Sequence, residues 1–210
     1  MNSLAVVLLV VAGSLACVDW WSVARDRPGA EYFAKPLVIV ALVGVALAVD
    51  TSDDTARGLV VAALGASLVG DVVLMGPERP FIGGLGAFLV AHLVYIAALV
   101  DSVEMEPALA AALVVIGISL GVVPQLLAAV WTRGLVLTIA VAFYIVTVST
   151  TAVLAVGTGV VVVGVGGSLL LVSDALLGWD RFIGPAPGGR TLVHVTYHLG
   201  QTGMVLWLAA

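Results

Sequence analysis

Stretches of about twenty largely apolar residues follow one another along this chain, parted by short breaks rich in charge, proline and glycine. A helix rises about 1.5 Å per residue, so each stretch is long enough to cross the roughly 30 Å hydrocarbon core of a bilayer. Eight are read, at residues 3–21, 34–49, 58–75, 81–100, 107–124, 134–155, 159–178 and 191–209. In lipid the backbone must satisfy its own hydrogen bonds, and runs of this length read as helices rather than barrel strands of about 10 alternating residues. The expected fold is therefore all-α: a polytopic membrane protein of eight transmembrane helices, one transmembrane domain over residues 1–210. Composition agrees, with 62% hydrophobic and 10% charged residues against about 45–50% and about 25% in soluble domains. That excludes a soluble enzyme, a secreted disulfide scaffold and a disordered chain. Eight Lys and Arg with a net charge of −5 leave no basic stripe for nucleic acid. Cys17, the single cysteine, has no partner for an internal disulfide.

The breaks are chemically distinct. Arg25 to Gly29 ends the first segment, Asp50 to Arg57 the second, Gly76 to Pro80 the third and Asp101 to Pro107 the fourth. Pro124 to Arg133 parts five from six, and Trp179 to Arg190 parts seven from eight; Gly157-Thr158-Gly159, between six and seven, is the weakest. No Lys or Arg precedes Arg25, so the first segment lacks the basic start of a signal peptide. Ser14-Leu15-Ala16-Cys17 is an imperfect lipoprotein box, and the segment is expected to stay as a membrane helix. Seven basic residues (Arg25, Arg27, Lys35, Arg79, Arg133, Arg181 and Arg190) fall near the odd-numbered loops, and Arg57 alone lies on the other side. By the positive-inside rule, both termini face away from the cytoplasm of a cell-membrane protein.

An internal repeat is legible. Gly70-Asp71 and Ser173-Asp174 are each followed by an apolar turn and glycine, then by Arg79-Pro80-Phe81-Ile82-Gly83 and Arg181-Phe182-Ile183-Gly184. His92-Leu93-Val94-Tyr95 and His194-Val195-Thr196-Tyr197 follow at matching distances. Helices three and four thus match seven and eight. An even offset gives both copies one orientation, a parallel 4+4 repeat about an axis along the membrane normal.

Asp71 and Asp174 are the residues that should not be there. Each lies about four residues inside its expected span, roughly 6 Å below the interface, where a carboxylate is costly. The ordinary reading is that each bonds a neighbouring helix or faces water near the end. The functional reading is that they converge near the repeat axis. Close carboxylates in low dielectric do not both ionise readily, so one holds a proton and stands as general acid beside a general base. Helix eight carries His194, Tyr197, His198 and Gln201 at i, i+3, i+4 and i+7, one face, which must look inward. Helix four carries His92 and Tyr95, helix six Tyr144, and Lys35 precedes Pro36 at the expected start of helix two.

Simpler roles exist for most of these. Tyr95 and Tyr144 suit interhelical hydrogen bonds. Lys35, Arg79 and Arg181 suit lipid phosphate, and Trp20, Trp21, Trp131, Trp179 and Trp207 suit interface anchoring. The glycines of helices three and seven suit close helix packing. His194 and His198 have metal-ligand spacing, and His92 with an aspartate would complete a set, but no His-Glu-x-x-His or cysteine pair accompanies them. No metal or cofactor is expected.

Lys35-Pro36, Gly70-Asp71, His92-x-x-Tyr95, Ser173-Asp174 and Thr196-Tyr197-His198-Leu199-Gly200-Gln201 together resemble the YhhN-like, or lysoplasmalogenase, family over essentially the whole chain. The resemblance implies a membrane hydrolase that cleaves the vinyl-ether bond of a lysophospholipid substrate, a lysoplasmalogen, to a fatty aldehyde and a glycerophospho-base. A vinyl ether hydrolyses by protonation of its β-carbon, addition of water to the oxocarbenium ion and collapse of the hemiacetal. That needs an acid, a nearby anion and a base, and no Ser or Cys nucleophile. Asp71 and Asp174 suit these tasks, with their roles interchangeable on the sequence. Lys35, with Arg79 or Arg181, suits the phosphate, and His92, Tyr95, Tyr144, Tyr197, His198 and Gln201 suit substrate or water binding. A small-solute or proton-coupled carrier is the alternative, since a parallel repeat with acids at its axis also suits transport. A metal-dependent lipid hydrolase using His92, His194 and His198 is the third reading.

Overall fold

A computed structural model describes residues 1–75 and 81–210. Among them are eight α-helices: α1 (Ser3–Ala24), α2 (Pro28–Ala48), α3 (Asp54–Met75), α4 (Phe81–Leu99), α5 (Met105–Trp131), α6 (Leu135–Gly157), α7 (Val161–Phe182) and α8 (Gly189–Leu206), and no strand. Arg79 lies outside the described residues.

Local chemistry sets the helix starts. The Asn2 side chain accepts a hydrogen bond from the Ala5 amide at 3.0 Å, and that of Asp53 accepts from the Ala56 amide at 2.8 Å, capping α1 and α3. Pro28 opens α2 at a position where its missing N–H costs nothing. The weakest sequence break is sharp in three dimensions. Gly159 adopts φ +70°, a left-handed conformation that only glycine enters freely, and so turns α6 into α7.

Seven of these helices, α1 to α7, are long and apolar enough to cross a membrane. The eighth differs because its inward stripe of His194, Tyr197, His198 and Gln201 lowers its hydropathy. Leu113, Leu120, Val136 and Val161 are each more than 70% exposed, whereas Asp19, Asp71 and Thr151 are 0% exposed. Such an apolar outer wall around buried polar groups is the distribution that lipid demands. The chain is a multi-pass membrane protein.

The helices close on themselves. In turn α1 packs on α2, α2 on α3, α3 on α4, α4 on α6, α6 on α7, α7 on α8, and α8 returns to α1. Helix α5 stands outside this ring against α6 and α7 and buries only Ala108, Leu126 and Val130. The closest approach is between α7 and α8. A Cβ added at Gly203 would stand 2.7 Å from the Cα of Gly166, so the two backbones touch.

Three boundaries differ from expectation. Helix α2 begins at Pro28, not near residue 34, so Lys35 and Pro36 lie two turns inside it rather than at its start. Helix α5 continues past Pro124 to Trp131; in a membrane helix, polar side chains, neighbouring helices or local adjustment take up the backbone groups a proline disturbs, and here the Gln125 amide donates to the Gly121 carbonyl at 2.6 Å. Helix α7 runs through Trp179 to Phe182. Asp71 is four residues from the end of its helix, as expected, but Asp174 is eight from its own, about 12 Å.

Candidate active site

Asp71 and Asp174 line one cavity of about 330 Å³. They do not bond each other; each has its own partners. The Asp71 side chain is 0% exposed, with Lys35 Nζ 3.0 Å from Oδ1 and the Tyr197 hydroxyl donating to Oδ2 at 2.8 Å. Lys35 Nζ also lies 5.5 Å from the centre of the Tyr197 ring. Gly70 leaves room for Phe88, since a Cβ there would meet that ring at 2.7 Å. Phe88 in turn packs edge-on against Tyr197.

Asp174 is held by Tyr144 and His92, with no lysine or arginine bonded to it among the described residues. Tyr144 donates to its Oδ2 at 2.9 Å, and His92 Nε2 lies 3.1 Å from the same oxygen. The other ring nitrogen, His92 Nδ1, lies 3.2 Å from Thr151 Oγ1. Thr151 spends its own hydroxyl proton on a backbone carbonyl, that of Thr147 at 3.2 Å or of His92 at 3.4 Å. In that arrangement its oxygen accepts from His92 Nδ1–H; with the opposite ring tautomer the hydroxyl donates to Nδ1 instead. With Nδ1 carrying the ring proton, a neutral His92 has only an acceptor at Nε2. One proton then lies between His92 Nε2 and Asp174 Oδ2.

The polar cavity carries further charge. Glu31, Asp180, Arg181 and Arg190 line it with His194. Arg190 bonds Glu31 at 2.5 Å, and the Arg181 guanidinium lies over the Phe81 ring, 5.2 Å from its centre. A second cavity of about 160 Å³ is almost wholly apolar, between α4, α5, α6 and α7, with Leu85, Leu126, Val141 and Val148 in its walls. Leu74, Phe81, Phe88, Asp174 and Leu177 belong to both cavities. Asp174 is the charged residue they share.

Of the residues expected to touch substrate, Lys35, Tyr197 and the two aspartates line the polar cavity, and Tyr144 lines the apolar one. The others stand behind. Tyr95 donates to Gln201 Oε1 at 2.6 Å, and Gln201 donates to Ser67 at 3.1 Å, a buried chain joining α4, α8 and α3. His92 reaches the cavity through Asp174. His198 accepts from the indole N–H of Trp20 at 3.2 Å. Trp20 thus gives its indole N–H to the interior rather than to an interface, whereas Trp21 and Trp131 are 54% and 63% exposed. Lys35, expected at lipid phosphate, is in an ion pair with Asp71.

Sequence reading missed Asp19, whose Oδ2 lies 2.7 Å from His194 Nδ1 with the whole residue buried. Its signal was present, a carboxylate inside the first apolar run, but the neighbouring tryptophans made that end look interfacial. Glu31 and Thr151 were missed because one looked like loop charge and the other like an apolar-helix threonine. Among the described residues no three His, Cys, Asp or Glu side chains gather as a metal-binding group; His92 faces Asp174, while His194 and His198 face Asp19.

A closed helical bundle with buried acids around a polar cavity, and an apolar slot sharing walls with it, defines a polytopic membrane protein with an internal polar site. The chain belongs to the YhhN family, whose family model matches residues 30–208. No curated protein and no solved structure matches the chain.

Proposed function

We propose that this protein hydrolyses the vinyl-ether bond of lysoplasmalogens, releasing a fatty aldehyde and a glycerophospho-base. Membership of a family that includes lysoplasmalogenases supports the reading. What carries it is the seam at Asp174, where the polar cavity and the apolar slot share walls. A single-tailed ether lipid with its headgroup among Arg181, Arg190 and Glu31 and its chain in the slot presents its vinyl ether at that seam. Asp174, sharing a proton with His92, is the acid that protonates the β-carbon. Asp71, ion-paired to Lys35 and bonded to Tyr197, is the anion that favours the oxocarbenium ion.

The same reading includes eight spans, a 4+4 repeat and two termini outside the cytoplasm of the cell membrane. The bonding pattern favours the repeat. Asp71 on α3 is reached from α2 and α8, and Asp174 on α7 from α6 and α4, so each acid has one partner from the preceding helix and one from the other half. Cysteines placed at either terminus should be labelled by a membrane-impermeant reagent added to whole cells.

The test of function is aldehyde release from lysoplasmenylethanolamine by purified protein. Asp71→Asn and Asp174→Asn should each abolish release while the protein stays folded. Turnover retained in both removes the two-carboxylate mechanism. Solute flux in proteoliposomes without lipid turnover replaces it with a carrier.

A further inference from the structure

The hydrolysis proposed above also needs a base for the attacking water, and neither of the two aspartates given roles above is free to serve. Asp174 is the acid, and both oxygens of Asp71 face their own partners, Lys35 and Tyr197. We propose that His194 is that base and that Asp19 is its positioning residue. The assignment rests on the hydrolase reading and adds to it a pair on α1 and α8.

The geometry is that of a carboxylate holding an imidazole. Asp19 Oδ2 lies 2.7 Å from His194 Nδ1, both side chains being at most 6% exposed. A carboxylate can only accept, so Nδ1 carries the proton and Nε2 is left with its lone pair. His194 lines the polar cavity, as Asp71 and Asp174 do. Its Nε2 stands 3.9 Å from Glu31 Oε1, too far for a hydrogen bond, so the lone pair is not tied up. Glu31 is itself held by Arg190 at 2.5 Å. The other charged and titratable groups around the ring are Lys35, across the cavity, and His198, one turn on. His198 cannot take over the task. Its Nδ1 accepts from Trp20, which has only a donor to offer, and its Nε2 has no partner among the described residues. Asp19 Oδ1 likewise has no partner among them, and His198 Nδ1, 3.8 Å from Oδ2, is beyond hydrogen-bond reach, so the side-chain hydrogen bond of Asp19 is to His194. Asp19 lies outside the residues matched by the family model, whereas His194 lies inside them.

The proton account closes. Asp174 gives its proton to the β-carbon, and the ether oxygen's lone pair completes the oxocarbenium ion. Water adds its oxygen to the cationic carbon and its proton goes to His194 Nε2, giving a hemiacetal. The imidazolium, steadied by Asp19, returns that proton to the glycerol oxygen as the C–O bond breaks. Asp174 takes the hydroxyl proton of the hemiacetal as the aldehyde C=O forms. One water is consumed, and both groups return to their starting states.

The competing account makes Asp19–His194 a structural tie between α1 and α8. Steady-state aldehyde release from lysoplasmenylethanolamine separates the two, with thermal melting in detergent as the control for folding. His194→Gln should lower kcat about a hundredfold or more while KM stays within about threefold. Imidazole in the buffer should restore part of the rate to folded His194→Ala protein, and Asp19→Asn should lower kcat while Asp19→Glu recovers much of it. A His194→Gln enzyme with kcat within about threefold of wild type overturns the assignment and leaves the hydrolase reading intact. Wild-type protein that releases no aldehyde overturns both.

Discussion

The Lys35–Asp71 pair gives the sharpest handle on the site, because its two partners are buried to different degrees and its geometry is fixed. Lys35 is 13% exposed and Asp71 is 0% exposed, with 3.0 Å between the charged atoms. At that separation, with an effective dielectric constant of about 20, the attraction is about 5.5 kcal/mol. Desolvation of both groups offsets much of it, so the pair itself adds little net stability. Removing one partner is different. Lys35→Met keeps most of the apolar stem but strands a buried carboxylate with only the Tyr197 hydroxyl, which should cost about 3–5 kcal/mol. Adding Asp71→Asn removes the stranded charge and keeps an oxygen for Tyr197, so the double variant should recover most of that loss. Equilibrium unfolding in mixed micelles, run on the two single variants and the double, measures the coupling directly. A Lys35→Met loss below about 1 kcal/mol, the value of an exposed pair, would refute the reasoning. Lys35 would then be a free phosphate ligand, and its loss would appear in KM instead.

Tyr144→Phe removes the hydroxyl that donates to Asp174 at 2.9 Å; aldehyde release should fall about tenfold in kinetic assays, about 1.4 kcal/mol in the barrier, while stability in melting falls by no more than about 1.5 kcal/mol, the worth of one hydrogen bond. Gly203→Val places carbon against the Gly166 backbone, which cannot yield as a side chain would. A loss of at least about 1–3 kcal/mol is expected in melting, whereas Gly13→Ala, where nothing lies within 4 Å, should leave it unchanged or raised. Leu126→Trp fills part of the apolar slot that Leu126 lines. KM should rise for long-chain lysoplasmalogens and not for short ones, as read by aldehyde release across a chain-length panel.

The helices were legible because lipid imposes one rule, an unbroken apolar run, and the sequence obeys it seven times without ambiguity. The ends were less so, because composition says where a run becomes polar and not where the backbone stops turning. Helix α2 therefore begins a turn and a half before its apolar run, and α7 carries Trp179, Asp180 and Arg181 within its last turn. The inward face of α8 was readable from spacing alone, but its partners were not. His194 and His198 were expected to face the substrate or a metal, and they face Asp19 and Trp20, residues more than 170 positions away. Pairing across such a distance depends on ring closure, with α8 returning to α1, and no local pattern encodes that. Lys35 was misplaced for the same reason, since a cation at a span end looks like a lipid contact until the neighbouring helix brings up an acid.

Ring closure also explains how a duplicated frame could give its two acids different work. Under the proposed repeat, His92 matches His194 and Tyr95 matches Tyr197, so equal halves would bond equally. They do not. Asp174 takes His92 from the opposite half, while Asp71 takes Tyr197, and His194 turns instead to Asp19 on α1. Asp71 thereby keeps an ammonium beside it, and Asp174 keeps an imidazole backed by Thr151. On the proposed mechanism one acid is then a fixed charge and the other a proton donor, from what the proposed repeat makes copies of one motif. Because Asp71, Asp174 and Asp19 each take a partner from the other half, the proposed mechanism leaves neither half with a competent site alone. Residues 1–102 and 103–210 expressed as separate chains should show no aldehyde release singly and regain it when co-expressed. Release by either half alone would sever the link between crossed pairing and chemistry.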